Sequence, residues 1–196
     1  MTRRIANRKG RVILVIGGTR SGKSRFAVEL AKGLGRRIVY VATCRAADRE
    51  MRQRITRHRR QRPAHWRTIE PPADPAAVIA ELDGAPEGLI LDCLTMYVSQ
   101  ALVAGHSDAA IQRRVGRLCR AIRRASYPVI VVTNEVGSGI VPEFPMGRRF
   151  RDLAGLANQT AAACADEVYL LIAGIPMRLN AHASSRSRVH APCATG

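Results

Sequence analysis

Val12-Ile13-Leu14-Val15-Ile16 runs directly into Gly17-Gly18-Thr19-Arg20-Ser21-Gly22-Lys23-Ser24, and this junction decides the fold. Five consecutive aliphatic residues suit a strand covered on both faces. The eight that follow fit G-x-x-x-x-G-K-[ST], a phosphate-binding turn. Backbone N–H groups of such a turn converge on phosphate oxygens, and a helix starting near Gly22 directs its positive end at the same point. Lys23 would neutralise the β- and γ-phosphates, and Ser24 would ligate Mg²⁺. The bland alternative is a chance glycine turn. Against it, Lys23 is one of only three lysines in the chain and stands at the required position.

Working outward, similar apolar runs recur at Ile38–Ala42, Leu89–Cys93, Val129–Thr133 and Val168–Ile172. Helical periodicity separates them. It is clearest over Ser107–Ala125, where Ile111, Val115, Leu118, Cys119 and Ile122 form one stripe, Ser107 caps the start and Tyr127-Pro128 ends the pattern. Shorter helical stretches are expected at Ala76–Leu82 and Thr95–Ala104. This alternation predicts a three-layer α/β domain over residues 12–180, a mostly parallel sheet with helices on both faces and right-handed crossovers. The tails 1–11 and 181–196 lack periodicity and are expected to lie outside the folded domain. Ligands in such sheets sit beyond the carboxyl ends of the strands, so the residues after each strand carry the functional reading.

Composition narrows the class. The chain has 196 residues, 46% hydrophobic and 24% charged, with 32 basic residues against 15 acidic for a net charge of +17. That field favours anionic partners without choosing among nucleic acid, phosphorylated small molecules and membrane surface. Five scattered cysteines with no C-x-x-C pair argue against a disulfide framework or zinc site and fit a reducing, cytoplasmic setting. No apolar run approaches the ~18 residues of a membrane span, and the basic stretch Met1–Arg11 leads into too short an apolar run for a secretion signal.

Three further positions carry chemistry. Asp92 is the only acid inside the five apolar runs; it would be the second protein ligand of Mg²⁺, or else the N-cap of the following helix. Glu135, after the fourth run, reads as a general base or as a solvated loop carboxylate. His58 follows Met51 and Ile55 at helical spacing within Ala46–Gln61, among Arg52, Arg54, Arg57, Arg59, Arg60 and Arg62. A histidine on an apolar stripe is commonly a packed core residue. Dense positive charge, however, lowers an imidazole's pKa and keeps it nucleophilic, while the same arginines would hold a polyphosphate or a nucleic acid. His65, beside Trp66 and off the helix, competes for the role.

Four segments together resemble the bifunctional adenosylcobinamide kinase / adenosylcobinamide-phosphate guanylyltransferase family. They are the first strand with its Gly17–Ser24 turn; Tyr40-Val-Ala-Thr43; Arg54-Ile-Thr-Arg-His-Arg59 with Arg62-Pro-Ala-His-Trp-Arg-Thr-Ile-Glu70; and Thr133-Asn-Glu-Val-Gly-Ser-Gly-Ile-Val-Pro-Glu143 with Phe150–Gly155. The resemblance implies a RecA-like P-loop domain assembled as a homotrimer. It implies phosphorylation of adenosylcobinamide by ATP or GTP, then transfer of GMP from GTP through a guanylylated histidine, placed at His58. Nucleotide contacts are implied at Gly17, Gly18, Thr19, Arg20, Ser21, Gly22, Lys23, Ser24, Ala42, Thr43, Cys44, Arg59, Arg60, Gln61, Arg62, Glu70 and Asp92. The chain departs from the family pattern at Arg57, where some relatives carry a second histidine, at Cys44, and at Phe144-Pro145 in place of an asparagine.

Two other classes compete. A nucleic-acid-binding RecA-like ATPase fits the net charge, but only eight aromatic residues are present, with Trp66 the lone tryptophan, which is few for a stacking platform. A small-metabolite kinase keeps Lys23 and Asp92 and leaves His58 idle. No nucleic acid partner is therefore expected.

Overall fold

A computed structural model describes residues 10–44, 49–60, 62–70, 74–82 and 86–179. Along them run β1 (Val12–Gly17), α1 (Lys23–Lys32), β2 (Ile38–Ala42), α2 (Arg49–Arg60), β3 (Arg67–Ile69), α3 (Pro75–Glu81), β4 (Gly88–Asp92), α4 (Leu94–Val103), α5 (Asp108–Arg124), β5 (Val129–Asn134), α6 (Pro145–Cys164), β6 (Glu167–Ile172) and β7 (Ile175–Arg178). The five apolar runs become five strands with ends shifted by a residue at most. Residues 1–9, 61 and 180–196, which include Gln61 and nearly all of both tails, lie outside the described set.

Two strands were not anticipated. β3 is three residues long, and β7 exposes all four of its residues, so neither presents a buried apolar run. β7 pairs antiparallel with β6 through Ala173-Gly174, both with positive φ, a turn that suits a two-residue hairpin. The sheet order is β3-β2-β4-β5-β1-β6-β7, parallel except at β7. One strand, β5, separates β1 from β4, which is the RecA-like arrangement.

Side-chain alternation splits the strands between two cores. Val12, Leu14, Val39, Val41, Leu89, Leu91, Val129 and Val131 face one cluster, closed by α3, α4, α5 and α6. Ile13, Val15, Ile38, Tyr40, Ala42, Ile90, Ile130 and Val132 face the other, covered by α1 and Trp66. Helices therefore lie on both faces, though unequally. The α5 stripe is buried as its periodicity requires, and Ser107 Oγ accepts from Ala110 N–H at its start.

Register then fixes the functional edge. Ala42 stands opposite Asp92, Asp92 opposite Val132, and Gly17 opposite Asn134, so β2 and β4 end together and β1 and β5 end together two residues further along the same edge. Leu118 is fully buried between α5 and the sheet. Its replacement by alanine should cost about 2–5 kcal/mol in urea unfolding, while Arg113→Ala on the exposed side should stay within about 0.5 kcal/mol.

Candidate active site

The turn after β1 is built by its glycines. Gly22 has φ 91°, a value that favours glycine, and precedes the first residue of α1. A Cβ on Gly17 would stand 2.6 Å from Ser21 Oγ and 2.7 Å from the Leu171 carbonyl oxygen. Close approach of β1 to β6 therefore requires glycine there. Ser21 N–H donates to the Gly18 carbonyl at 3.2 Å, and Lys23 Nζ donates to the same oxygen at 2.9 Å. Lys23 is only 7% exposed, so its ammonium is largely withdrawn from water. Gly174 N–H donates to the Ser21 carbonyl at 3.0 Å, which props the β6–β7 turn against the loop.

A cavity of about 840 Å³ opens over this edge. Of the residues singled out in the sequence, Thr19, Arg20, Ser21, Gly22, Lys23, Ser24, Ala42, Cys44, His58, Arg62 and Asp92 line it. His58 and Ile55, three residues apart on α2, are half-buried and face this space; neither belongs to the two hydrophobic clusters. The phosphate loop and the histidine thus share one chamber.

Asp92 does not cap the next helix. The N-cap of α4 is Cys93, which makes no side-chain cap hydrogen bond, and the Asp92 carboxylate instead accepts the Tyr40 hydroxyl. Burial first, then the Asp92 charge, push the Tyr40 phenol well above its ordinary range. The Arg62 guanidinium carbon lies 3.3 Å from the centroid of the Tyr40 ring. Arg62 Nε and Nη1 are buried without a hydrogen-bond partner among the described residues, an arrangement that costs about 1–3 kcal/mol per group unless an acceptor enters. Burial, with the Asp92 charge behind it, pushes the neighbouring Cys93 thiol up to about 12, so that side chain stays protonated.

The remaining sequence candidates sit elsewhere. Gly17 and Gly18 shape the loop from beneath. Thr43 is buried and ties β2 to the β4–α4 turn: its hydroxyl donates to the Cys93 carbonyl at 2.7 Å, and Cys93 N–H donates to Thr43 Oγ1 at 2.8 Å. Arg59 and Arg60 are exposed, and Arg59 stands 4.0 Å from Glu70. Glu135 accepts from Gly137 and Ser138 N–H groups at 2.5 and 3.1 Å, and is thereby committed to shaping its own loop.

A family model described as cobinamide kinase / cobinamide phosphate guanyltransferase matches residues 13–179. The chain belongs to this family. It is 42% identical over 180 residues to the bifunctional adenosylcobalamin biosynthesis protein CobU of Salmonella typhimurium, covering 86% of this chain and 99% of that protein. To the bifunctional adenosylcobalamin biosynthesis protein CobP of Pseudomonas aeruginosa it is 39% identical over 166 residues, covering 85% and 95%. Among solved structures, a KaiC-like protein from Pyrococcus horikoshii is similar with TM-score 0.49 and 15% identity, over 83% of this chain and 72% of that one.

In this cobinamide kinase / guanyltransferase chain, sequence reasoning passed over several cavity residues: Gln53, Met96, Asn134 and the Ala173-Gly174 turn. Asn134 and the turn end strands at the ligand edge, which was the available signal. Asn134 is held by a buried polar network. Its N–H donates to Thr95 Oγ1 at 2.7 Å, its carbonyl accepts from Asn158 Nδ2 at 3.0 Å, and Thr133 Oγ1 donates to Asn158 Oδ1 at 2.7 Å. Its own Oδ1 is buried and has no hydrogen-bond partner among the described residues.

The donor set also suits one metal. Mg²⁺ is usually held by one or two protein oxygens together with substrate phosphates. Ser24 and Asp92 put a hydroxyl and a carboxylate on the same cavity wall. No group of three or more His, Cys, Asp or Glu side chains that could hold a metal by itself occurs among the described residues. These residues fit an ion carried in on a nucleotide.

Gly17→Ala and Gly18→Ala separate the loop's architecture from its chemistry. The first should lower stability by about 1–3 kcal/mol in thermal denaturation, because the Leu171 backbone oxygen cannot move aside. The second meets nothing within 4 Å and should melt like the parent.

Proposed function

We propose that this chain phosphorylates the aminopropanol hydroxyl of adenosylcobinamide with ATP or GTP. It then transfers GMP from GTP to that phosphate through a guanylylated His58, giving adenosyl-GDP-cobinamide. The observation that carries this reading is the single cavity lined by Lys23, Asp92, Arg62 and His58.

In the kinase step the substrate hydroxyl oxygen attacks the γ-phosphorus, loses its proton, and a nucleoside diphosphate leaves. Lys23 and the N–H groups of residues 18–24 take up charge on the phosphate oxygens. Ser24 and Asp92 would hold Mg²⁺, which supplies further charge neutralisation on those oxygens. In the transfer step an imidazole nitrogen of His58 attacks the α-phosphorus of GTP and pyrophosphate leaves. A phosphate oxygen of the first product then attacks the same phosphorus, and the imidazole leaves with its electron pair. Arg62, whose side chain lines the cavity, would receive negative charge, and Arg59, Arg60, Gln61 and Glu70 would add further nucleotide contacts.

The reading extends to assembly and setting. We infer one catalytic domain over residues 12–180, working in the cytoplasm as a homotrimer. Support comes from apolar side chains left in water on one chain: Ile140 is 96% exposed and Phe144 72%, with Ile175 and Met177 on β7 also exposed. The four described cysteines are free thiols. No helix among the described residues is long and apolar enough to cross a membrane.

Incubation with α-labelled GTP and Mg²⁺ should give a protein label that is acid-labile and base-stable. His58→Ala should keep at most about 1% of it while retaining kinase turnover. Equal labelling of His58→Ala would remove His58 from the reaction.

A further inference from the structure

Tyr40 is 2% exposed within the cluster that α1 covers, where phenylalanine would pack as well. Its hydroxyl is the atom that packing does not explain. The geometry accounts for it. Tyr40 precedes Ala42 by two residues on the same strand face, Ala42 is in register with Asp92, and Asp92 follows Ile90, Tyr40's own partner, by two. Tyr40, Ile90 and Asp92 therefore share one face of adjoining parallel strands, and the phenol reaches the carboxylate. From the opposite direction Arg62, delivered after α2, lies over the same ring at 3.3 Å. Its Nε and Nη1 are buried without a partner among the described residues, and the side chain lines the cavity.

We propose that Tyr40 is a positioning residue for phosphate transfer: its hydroxyl orients the Asp92 carboxylate while its ring carries the Arg62 guanidinium. One buried side chain thereby sets the spacing between the acidic and cationic walls of the cavity. The phenol gives the Asp92 carboxylate one fixed hydrogen-bond partner on the strand face it shares with Tyr40. Cation–π contact fixes the arginine without using the N–H groups that a phosphate must receive. This proposal rests on the nucleotide reading above, for which Asp92 and Arg62 are the relevant groups.

Fluorescent GTP-analogue binding, measured in EDTA and along a Mg²⁺ titration, tests it. Tyr40→Phe should bind the analogue in EDTA like the parent but need about tenfold more Mg²⁺ to reach half of the metal-induced tightening. Tyr40→Leu should in addition weaken binding in EDTA by about 3- to 30-fold, since the arginine loses its platform. In an Asp92→Asn background, Tyr40→Phe should have no further effect. An unchanged Mg²⁺ midpoint in Tyr40→Phe, or a shift that persists in Asp92→Asn, overturns the positioning role and leaves the nucleotide reading intact. If the parent neither binds the analogue nor responds to Mg²⁺, the nucleotide reading itself falls, and the proposal with it. Should Tyr40→Phe not fold, ¹⁹F spectra of the 3-fluorotyrosine protein decide the matter, with Tyr40 assigned by replacing the other three tyrosines. Its resonance should move when the analogue binds and again when Mg²⁺ is added, and a stationary resonance overturns the proposal.

Discussion

A lysine ammonium withdrawn almost wholly from water is the constraint around which this molecule is organised. Burying a charge is costly unless the site supplies polar partners. Lys23 meets part of that cost through the Gly18 carbonyl, in a loop whose shape depends on Gly17 and Gly22. The loop in turn needs β1 inside the sheet, flanked in parallel by β5 and β6. Ser21 Oγ and two Arg62 nitrogens, buried and without a partner among the described residues, are donors that an acceptor such as a phosphate oxygen would satisfy. Asn134 Oδ1, also buried and unpartnered among the described residues, calls for a donor instead.

The net charge of +17 does not act as one field. Much of it is surface arginine, some paired at modest value: Arg117 with Asp74 at 3.1 Å, Arg123 with Asp166 at 2.9 Å and Arg149 with Asp108 at 2.6 Å. Exposed pairs of this kind contribute roughly 0–1 kcal/mol each. The basic residues that line the cavity are fewer: Lys23, Arg62 and, more exposed, Arg20, Arg25 and Arg57. Segment counts in the sequence pointed the same way, since 11 of the 32 basic residues fall between Arg36 and Glu70.

How much was legible follows from what each residue does. Runs such as Ile38–Ala42 and Val129–Thr133 announced themselves because both faces of a parallel strand are covered, leaving only apolar residues. β3 and β7 sit at sheet edges, where pairing rather than composition makes a strand, and gave no such signal. The P-loop was legible because its chemistry demands fixed residue types at fixed spacing. His58 was legible as a candidate but not in its setting: sequence alone balanced a core stripe against a catalytic one, and only the fold turns Ile55 and His58 toward the cavity. Tyr40 was out of reach as a site residue, and Asn134 was signalled only by its place at the end of a strand. Their contributions come from register across strands and from the Thr95, Thr133 and Asn158 network, which linear spacing does not encode.

The central claim is that one cavity brings the nucleotide's phosphates to both Lys23 and His58. A crystal structure of the protein with Mg²⁺ and a GTP analogue that resists cleavage between the α- and β-phosphates measures this directly. The account predicts the β- and γ-phosphates in the Gly17–Ser24 loop, or displaced toward Arg62, with the α-phosphorus facing the His58 imidazole in line with its leaving oxygen. An analogue bound in the loop with its α-phosphate turned away from α2, and His58 packed against protein atoms, would contradict it.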